Sequence, residues 1–353
     1  MKAVANPHLG EFDLIGRYFK RPAVRARLGV GDDCALLQPA PGTHMAISSD
    51  MLVQGRHFFA DVDPRTLGHK ALAVNLSDLA ACGAKPLAFT LALALPSVDE
   101  AWLAAFADGL FALADAHGCE LIGGDTTQGP LNICITVFGE VSVVNGRTQA
   151  LLRSGAKAGD DMYVSGTLGD ARLALDVLNG KLSVPTDILQ QARARLETPT
   201  PRVALGMALR DVASAAIDVS DGLLGDLGHI LKASGVGAVI DTSIATLLIA
   251  AHAYLTGAKS QFDTQKSPET HRQTGLQTCL DYVLAGGDDY ELAFTAPAAK
   301  RDAVQAAARV SGTPVTRIGQ IEAPTGLRLI DAQGQEVANT FPSFDHFATG
   351  TTR

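Results

Sequence analysis

Ala215-Ala216-Ile217-Asp218-Val219-Ser220-Asp221-Gly222-Leu223 joins an apolar run to a polar glycine turn. The run reads as a strand from Ala215 to Val219, Asp221-Gly222 as a turn, and Leu223 to Ser234 as a helix. A buried strand feeding a helix through a tight turn is the unit of an α/β fold.

The same alternation extends in both directions. Met162-Tyr163-Val164-Ser165 reads as a strand, and Gly166 and Gly169 frame the turn into a helix near Ala171 to Leu178. Leu284 to Phe294 carries a Gly286-Gly287-Asp288-Asp289 turn ahead of another strand. Upstream, Met45 to Val53 reads as a strand with polar residues at a turn or bulge. Asp63-Pro64 reads as an N-cap with proline at the first helical position, opening a helix that runs to Cys82. Pro86 to Pro96 reads as a buried strand. Ser97 and Glu100 are spaced as a capping box for a helix ending at His117-Gly118, and Leu131 to Val143 alternates as a strand. The polar stretch Thr256 to Thr278 shows little apolar periodicity and reads as an extended surface loop. Gly155 to Asp161 marks a junction, so two domains are expected, residues 1–150 and 151–353, within the α/β class.

The chain has 353 residues, is 47% hydrophobic and carries a net charge of −8. That is enough for more than one packed core, and it argues against a charge-driven grip on nucleic acid. The five cysteines are scattered, with no Cys-x-x-Cys pair, which disfavours a disulfide framework or a thiolate metal site. Cys34, beside Asp33, has no evident partner base and is read as a packing residue. The N-terminus lacks a signal-peptide core, and the longest apolar run, Leu87 to Leu95, is too short to span a bilayer as a helix. A cytoplasmic protein without membrane attachment is expected.

Six carboxylate clusters stand out: Gly31-Asp32-Asp33, Ser48-Ser49-Asp50, Asn75-Leu76-Ser77-Asp78, Gly123-Gly124-Asp125, Asp218-Val219-Ser220-Asp221-Gly222 and Gly286-Gly287-Asp288-Asp289. Each follows or interrupts an apolar stretch and is expected where a strand or helix ends. Gathered together they would repel, and a hard divalent cation with oxygen ligands is the natural counter-charge; magnesium commonly shares such ligands with phosphates. For any single cluster, turn closure or helix capping is the commoner explanation, and Asp32, Asp160, Asp161 and Asp289 are expected to include such cases. No Gly-x-x-x-x-Gly-Lys-Ser/Thr cradle and no protein-kinase motif set is present. His57 fits either a phosphate contact or packing beside Phe58 and Phe59, packing being favoured on local grounds. Arg153 is on local grounds equally a phosphate fork or a surface arginine. Phe344 reads locally as a core or docking residue.

Taken in order, these motifs resemble the thiamine-monophosphate kinase family of the aminoimidazole-ribonucleotide-synthetase-like superfamily. The resemblance runs from Gly10-Glu11-Phe12-Asp13-Leu14-Ile15 to Phe344-Asp345-His346-Phe347. It implies a two-domain fold of α+β type with mixed sheets flanked by helices. The first domain would bind magnesium and ATP and form a homodimer; the second would complete the active site. The implied reaction moves the γ-phosphoryl group of ATP to thiamine phosphate. Implied magnesium ligands are Asp33, Ser48, Ser49, Asp50, Asp78, Asp125, Asp218 and Asp221, several ions being expected. ATP contacts fall on Gly124, Asp125, Arg153 and Ser220, and thiamine phosphate contacts on His57, Asp288 and Phe344. Asp78, Asp125, Asp221 and Arg153 would carry the chemistry. Asp288 stands where glutamate is common, and Phe344 where tyrosine or tryptophan occurs. Other readings are a cyclo-ligase or selenophosphate synthetase of the same superfamily, or a non-catalytic sensor of magnesium-ATP.

Overall fold

The computed structural model describes residues 10–257 and 268–341. The chain divides into two compact units, Met1–Asn75 with Pro86–Glu140, and Leu76–Lys85 with Val141–Arg353.

In chain order the first half contains α1 (Glu11–Leu14), a π-helical turn (Ile15–Phe19), β1 (Thr43–Val53), α2 (Pro64–Ala81), β2 (Lys85–Leu95), α3 (Glu100–His117), β3 (Glu120–Gln128), β4 (Asn132–Val144) and β5 (Arg147–Thr148). The strands form a sheet of order β1-β4-β2-β3, with β5 on β4 and β2 parallel to β3. Leu67 and Leu72 of α2, Phe89 and Leu93 of β2, Leu103, Phe106 and Leu110 of α3 and Ile133 and Ile135 of β4 are buried almost completely. Asp63 Oδ1 accepts from Arg65 N at 2.7 Å, as a cap ahead of Pro64 should. The expected capping box of α3 is displaced. Asp99, not Ser97, is the N-cap and accepts from Ala101 N and Trp102 N, while Glu100 pairs with Arg17 and receives Tyr18 Oη. A carboxylate nearer the first turn outcompetes the serine upstream.

The second half contains β6 (Asp160–Ser165), α4 (Asp170–Leu178), α5 (Thr186–Glu197), α6 (Val203–Ala208), β7 (Ala215–Val219), α7 (Leu223–Ser234), β8 (Gly237–Asp241), α8 (Thr242–Ala245), α9 (His252–Leu255), α10 (Pro268–Ala285), β9 (Glu291–Pro297), α11 (Arg301–Ser311), β10 (Val315–Glu322), β11 (Gly326–Ile330) and β12 (Glu336–Val337). The seven strands run β12-β11-β8-β10-β6-β9-β7. Within this sheet β11 and β8 pair in parallel; β12 with β11, β8 with β10, β10 with β6, β6 with β9 and β9 with β7 are antiparallel. Every residue of β6 and β7 is buried, as expected of strands covered on both faces.

Two expectations need correction. Residues 268–278 are helical, not an extended loop. The buried stripe is His271, Gly275, Cys279, Tyr282 and Val283; its first members carry almost no hydropathy signal, although their spacing is helical. The rest of that expected loop, residues 258–267, lies outside the described residues. Nor do the carboxylate clusters all mark element ends: Ser48-Ser49-Asp50 lies within β1, Asn75 to Asp78 within α2 and Gly123-Gly124-Asp125 within β3.

Candidate active site

The first unit places two clusters around one cavity of about 520 Å³, lined among others by Phe12, Phe19, Asp33, Gly124 and Asp125. Strand β3 bends into it for a readable reason. Phe89 pairs with Leu121 but Thr90 pairs with Gly123, so Ile122 is an extra residue. Such a bulge re-aims the side chains that follow. Gly124 sits at φ +146, where a Cβ would meet Leu91 O at 1.8 Å. Only glycine lets the two backbones approach this closely while Asp125 stays exposed at the rim. Asp33 is also exposed, its N–H donating to Asp32 Oδ1 at 2.9 Å. Asp32 thus closes a turn.

On β1 the period-two alternation separates the three polar residues. Ser48 and Asp50 share one face and Ser49 has the other. Ser49 Oγ donates to Ile135 O at 3.1 Å and lies 3.0 Å from Thr136 Oγ1. Its hydroxyl is engaged with β4. Asp50 N donates to Asn75 Oδ1, and Asn75 Nδ2 donates to Ala71 O. The buried asparagine therefore ties the Asp50 backbone to helix α2. His57 Nδ1 accepts from Val53 N at 3.0 Å, which fixes the neutral tautomer with its proton on Nε2.

The second unit holds the remaining set. Ser77 Oγ donates to Asp218 Oδ2 at 2.8 Å, joining residues 141 apart in sequence. Asp78 follows Ser77 on the last turn of α2 and is half-buried. Beyond Asp218 the chain turns through Ser220, Asp221 and Gly222. Ser220 N and Asp221 N both donate to Asp226 Oδ2 at 3.0 Å. Burial pushes the Asp226 carboxyl up to about 7 against those two donors, and the Asp221 charge adds to the rise. Arg153, exposed, faces Asp226 electrostatically, and its carbonyl accepts from Ser234 Oγ.

Asp288 is buried and adopts φ +61, and it accepts from Tyr290 Oη at 3.1 Å. Asp288 N donates to Ser220 O and Tyr290 N to Val219 O, both at 2.8 Å, so this loop and the Ser220 turn are joined. A Cβ on Gly287 would meet Ser220 O at 2.6 Å. Asp289 is structural: fully buried, it accepts from Gly169 N, and desolvation holds its carboxyl well above the usual range. Asp160 accepts from Lys157 N and Ser214 Oγ, and Asp161 is forked by Arg301 and also held by Arg317. These three aspartates explain themselves without a ligand. Phe344 lies outside the described residues.

Among the described residues, no three His, Cys, Asp or Glu side chains gather as a ready metal cage. The donors present are carboxylates and hydroxyls, in small groups. That composition suits magnesium, which takes one or two carboxylates and completes its shell from water and substrate phosphates. It does not suit zinc, which prefers nitrogen and sulfur.

Three contributors went unassigned in the sequence. Asn75 and Ser77 lie inside a quoted motif, where a buried polar residue on an apolar helix face is the available signal. Asp226 sits in the first turn of α7, where an acid is ordinary for the helix dipole and draws no notice.

Comparisons with known proteins agree over most of the chain. Residues 31–141 match the AIR synthase related protein, N-terminal domain, and residues 157–332 its C-terminal domain. The chain is 47% identical over 346 residues to the thiamine-monophosphate kinase of Salmonella typhimurium, covering 96% of this chain and 99% of that one. A crystal structure of thiamine-monophosphate kinase from Stenotrophomonas maltophilia superposes with a TM-score of 0.75 at 44% identity, covering 89% and 92% of the two chains. A structure described as AaThiL complexed with AMPPCP and TMP gives a TM-score of 0.69 at 26% identity over 88% and 89%.

Proposed function

The chain belongs to the thiamine-monophosphate kinase family, and from that premise we propose that it transfers the γ-phosphoryl group of ATP to thiamine phosphate, giving thiamine diphosphate and ADP. The observation that carries this reading is identity of 47% sustained over 96% of the chain. A relative's complex with AMPPCP, a non-hydrolysable form of ATP, and TMP supports the pair of reactants.

The acceptor is itself a phosphate, so its oxygens attack without a strong base and no phosphoenzyme is needed. The obstacle is charge. Two unit charges about 4 Å apart repel by roughly 4 kcal/mol at an effective dielectric of 20, and the reactants carry several. Magnesium, when bound, would neutralise phosphate charge and orient the transferred group. Asp33, Ser48, Ser49, Asp50 and Asp125 in the first unit would hold ions, as would Asp78, Asp218 and Asp221 in the second; the Ser49 hydroxyl is engaged with β4. Gly124 and Asp125, with Arg153 and Ser220, would contact ATP. Arg153 would fork onto phosphate oxygens. His57 would present its Nε2–H to the acceptor phosphate, and Asp288 with Phe344 would contact thiamine phosphate.

A homodimer in the cytoplasm belongs to the same reading. Ile47 and Met51, on the Ser49 face of β1, are 61% and 52% exposed, an apolar strip suited to a second copy. Five free cysteines accord with a reducing compartment. No helix among the described residues is long and apolar enough to cross a membrane. The test is stoichiometry: ADP and thiamine diphosphate should form one for one, and only when magnesium, ATP and thiamine phosphate are all supplied. ADP release independent of thiamine phosphate would overturn the reading.

A further inference from the structure

The Ser220-Asp221-Gly222 turn has no regular structure of its own, yet it carries the proposed ATP contact Ser220 and the proposed magnesium ligand Asp221. Its shape is imposed from two sides. On one side a single residue grips it at three points: Asp226 Oδ2 accepts from Ser220 N and from Asp221 N at 3.0 Å, and Asp226 N donates to Gly222 O at 3.0 Å. On the other side Asp288 N donates to Ser220 O at 2.8 Å. Asp226 is itself buried and fixed in the first turn of α7, so its carboxylate is a stationary anchor.

We infer that Asp226 is a positioning residue for the phosphoryl transfer: it touches neither reactant but holds Ser220 and Asp221 in the arrangement that nucleotide and cation require. The inference rests on the reading of those two residues given above. Both N–H groups converge on one oxygen of Asp226. The role therefore depends on where that acceptor oxygen stands, and a neutral amide oxygen in the same place can perform it. Unpairing two inward-facing N–H groups releases the turn, whereas removing the charge alone does not. Through the Asp288–Ser220 bond the same anchor also supports the loop proposed to meet thiamine phosphate.

This makes an unusual ordering of variants. Asp226→Asn keeps an acceptor oxygen at the same reach and loses the charge. Asp226→Glu keeps the charge and displaces the oxygen by a methylene. Asp226→Ala loses both. Placement predicts that Asn recovers most of the turnover, while Glu and Ala fall by about 30-fold in kcat, within the range typical of residues that orient ligands. Hydrogen exchange of the Ser220 and Asp221 amides, measured without metal or nucleotide, gives a readout independent of activity. Protection should survive in Asn and be lost in Ala and Glu, with thermal midpoints of Asn and wild type alike.

Glu active with Asn inactive would overturn the inference in favour of a charge role. So would equal impairment of Asn and Glu, wild-type turnover in all three, or failure of the Asn variant to fold. Unchanged Ser220 and Asp221 protection in Ala or Glu would overturn it as well. Should the wild-type protein itself form no thiamine diphosphate, the functional reading fails, and the exchange data still decide whether Asp226 anchors the turn.

Discussion

Ser77 Oγ and Asp218 Oδ2 stand 2.8 Å apart with both residues buried. This one bond ties the helical Asn75-Leu76-Ser77-Asp78 cluster to the strand that delivers Ser220 and Asp221. Ser77→Ala would leave the Asp218 carboxylate buried without that donor. A loss of about 1–3 kcal/mol is expected from urea unfolding, with turnover reduced about 10-fold because Asp218 is less well held. Unchanged unfolding and unchanged turnover would show the bond to be dispensable.

Asp78→Asn and Asp221→Asn test the metal scaffold. Each keeps size and removes a charge, so thermal midpoints should move little. Turnover should drop by about 100-fold or more, as when a preorganised electrostatic group is removed, and the magnesium concentration for half-maximal rate should rise. Near-normal rates at wild-type magnesium would remove the residue from the set.

Burial pushes the Cys119 and Cys279 thiols up to about 12. At pH 8 roughly one in 10⁴ of each would be thiolate, the reactive form. An alkylating reagent should therefore label exposed Cys34 first and leave Cys119 and Cys279 untouched until the protein unfolds. Because Cys34 follows Asp33, magnesium with an ATP analogue should slow its labelling. Peptide mass spectrometry reads both effects.

The Arg301 hydrogen bonds hold the Asp161 carboxyl below its ordinary 3.8, against the opposing effect of burial. A depressed folded-state value contributes stability above the unfolded value, lost as pH falls through the lower one. Arg301→Met should raise the folded value and remove that contribution, so the variant is less stable than wild type at pH 6 and the gap narrows as pH falls. Urea midpoints from pH 6 down to pH 2.5 would reveal it; superimposable curves would contradict it.

Glu291 is fully buried between Arg195, Arg202 and Ser165. Arg202 forks onto it, with Nε to Oε2 at 2.6 Å. Arg202→Leu should cost about 3 kcal/mol by leaving the carboxylate underpaired in a dry site. A loss below 1 kcal/mol in equilibrium unfolding would mean that Arg195 alone suffices.

Much of this architecture could be read from local pattern. Ala215–Val219 and Leu223–Ser234 emerge as β7 and α7 because apolar continuity, a glycine turn and helical periodicity agree there. The α10 stripe was hidden because His271 and Gly275 hold buried helical positions without looking apolar. Ser97 looked a better cap than it is because Asp99 competes two residues later. The division of Ser48 and Asp50 from Ser49 follows from strand period, once β1 is known to run unbroken through them. What local pattern cannot yield is the partner of Ser77 or the grip of Asp226, since each depends on where a distant or turned-back segment comes to rest.

The most direct measurement is phosphorus NMR of the purified protein with ATP and thiamine phosphate as magnesium is added. The account predicts that diphosphate resonances of thiamine diphosphate grow with those of ADP, at matching rates and only once magnesium is present. Growth of ADP with free inorganic phosphate, or an unchanged thiamine phosphate resonance at saturating magnesium, would contradict it.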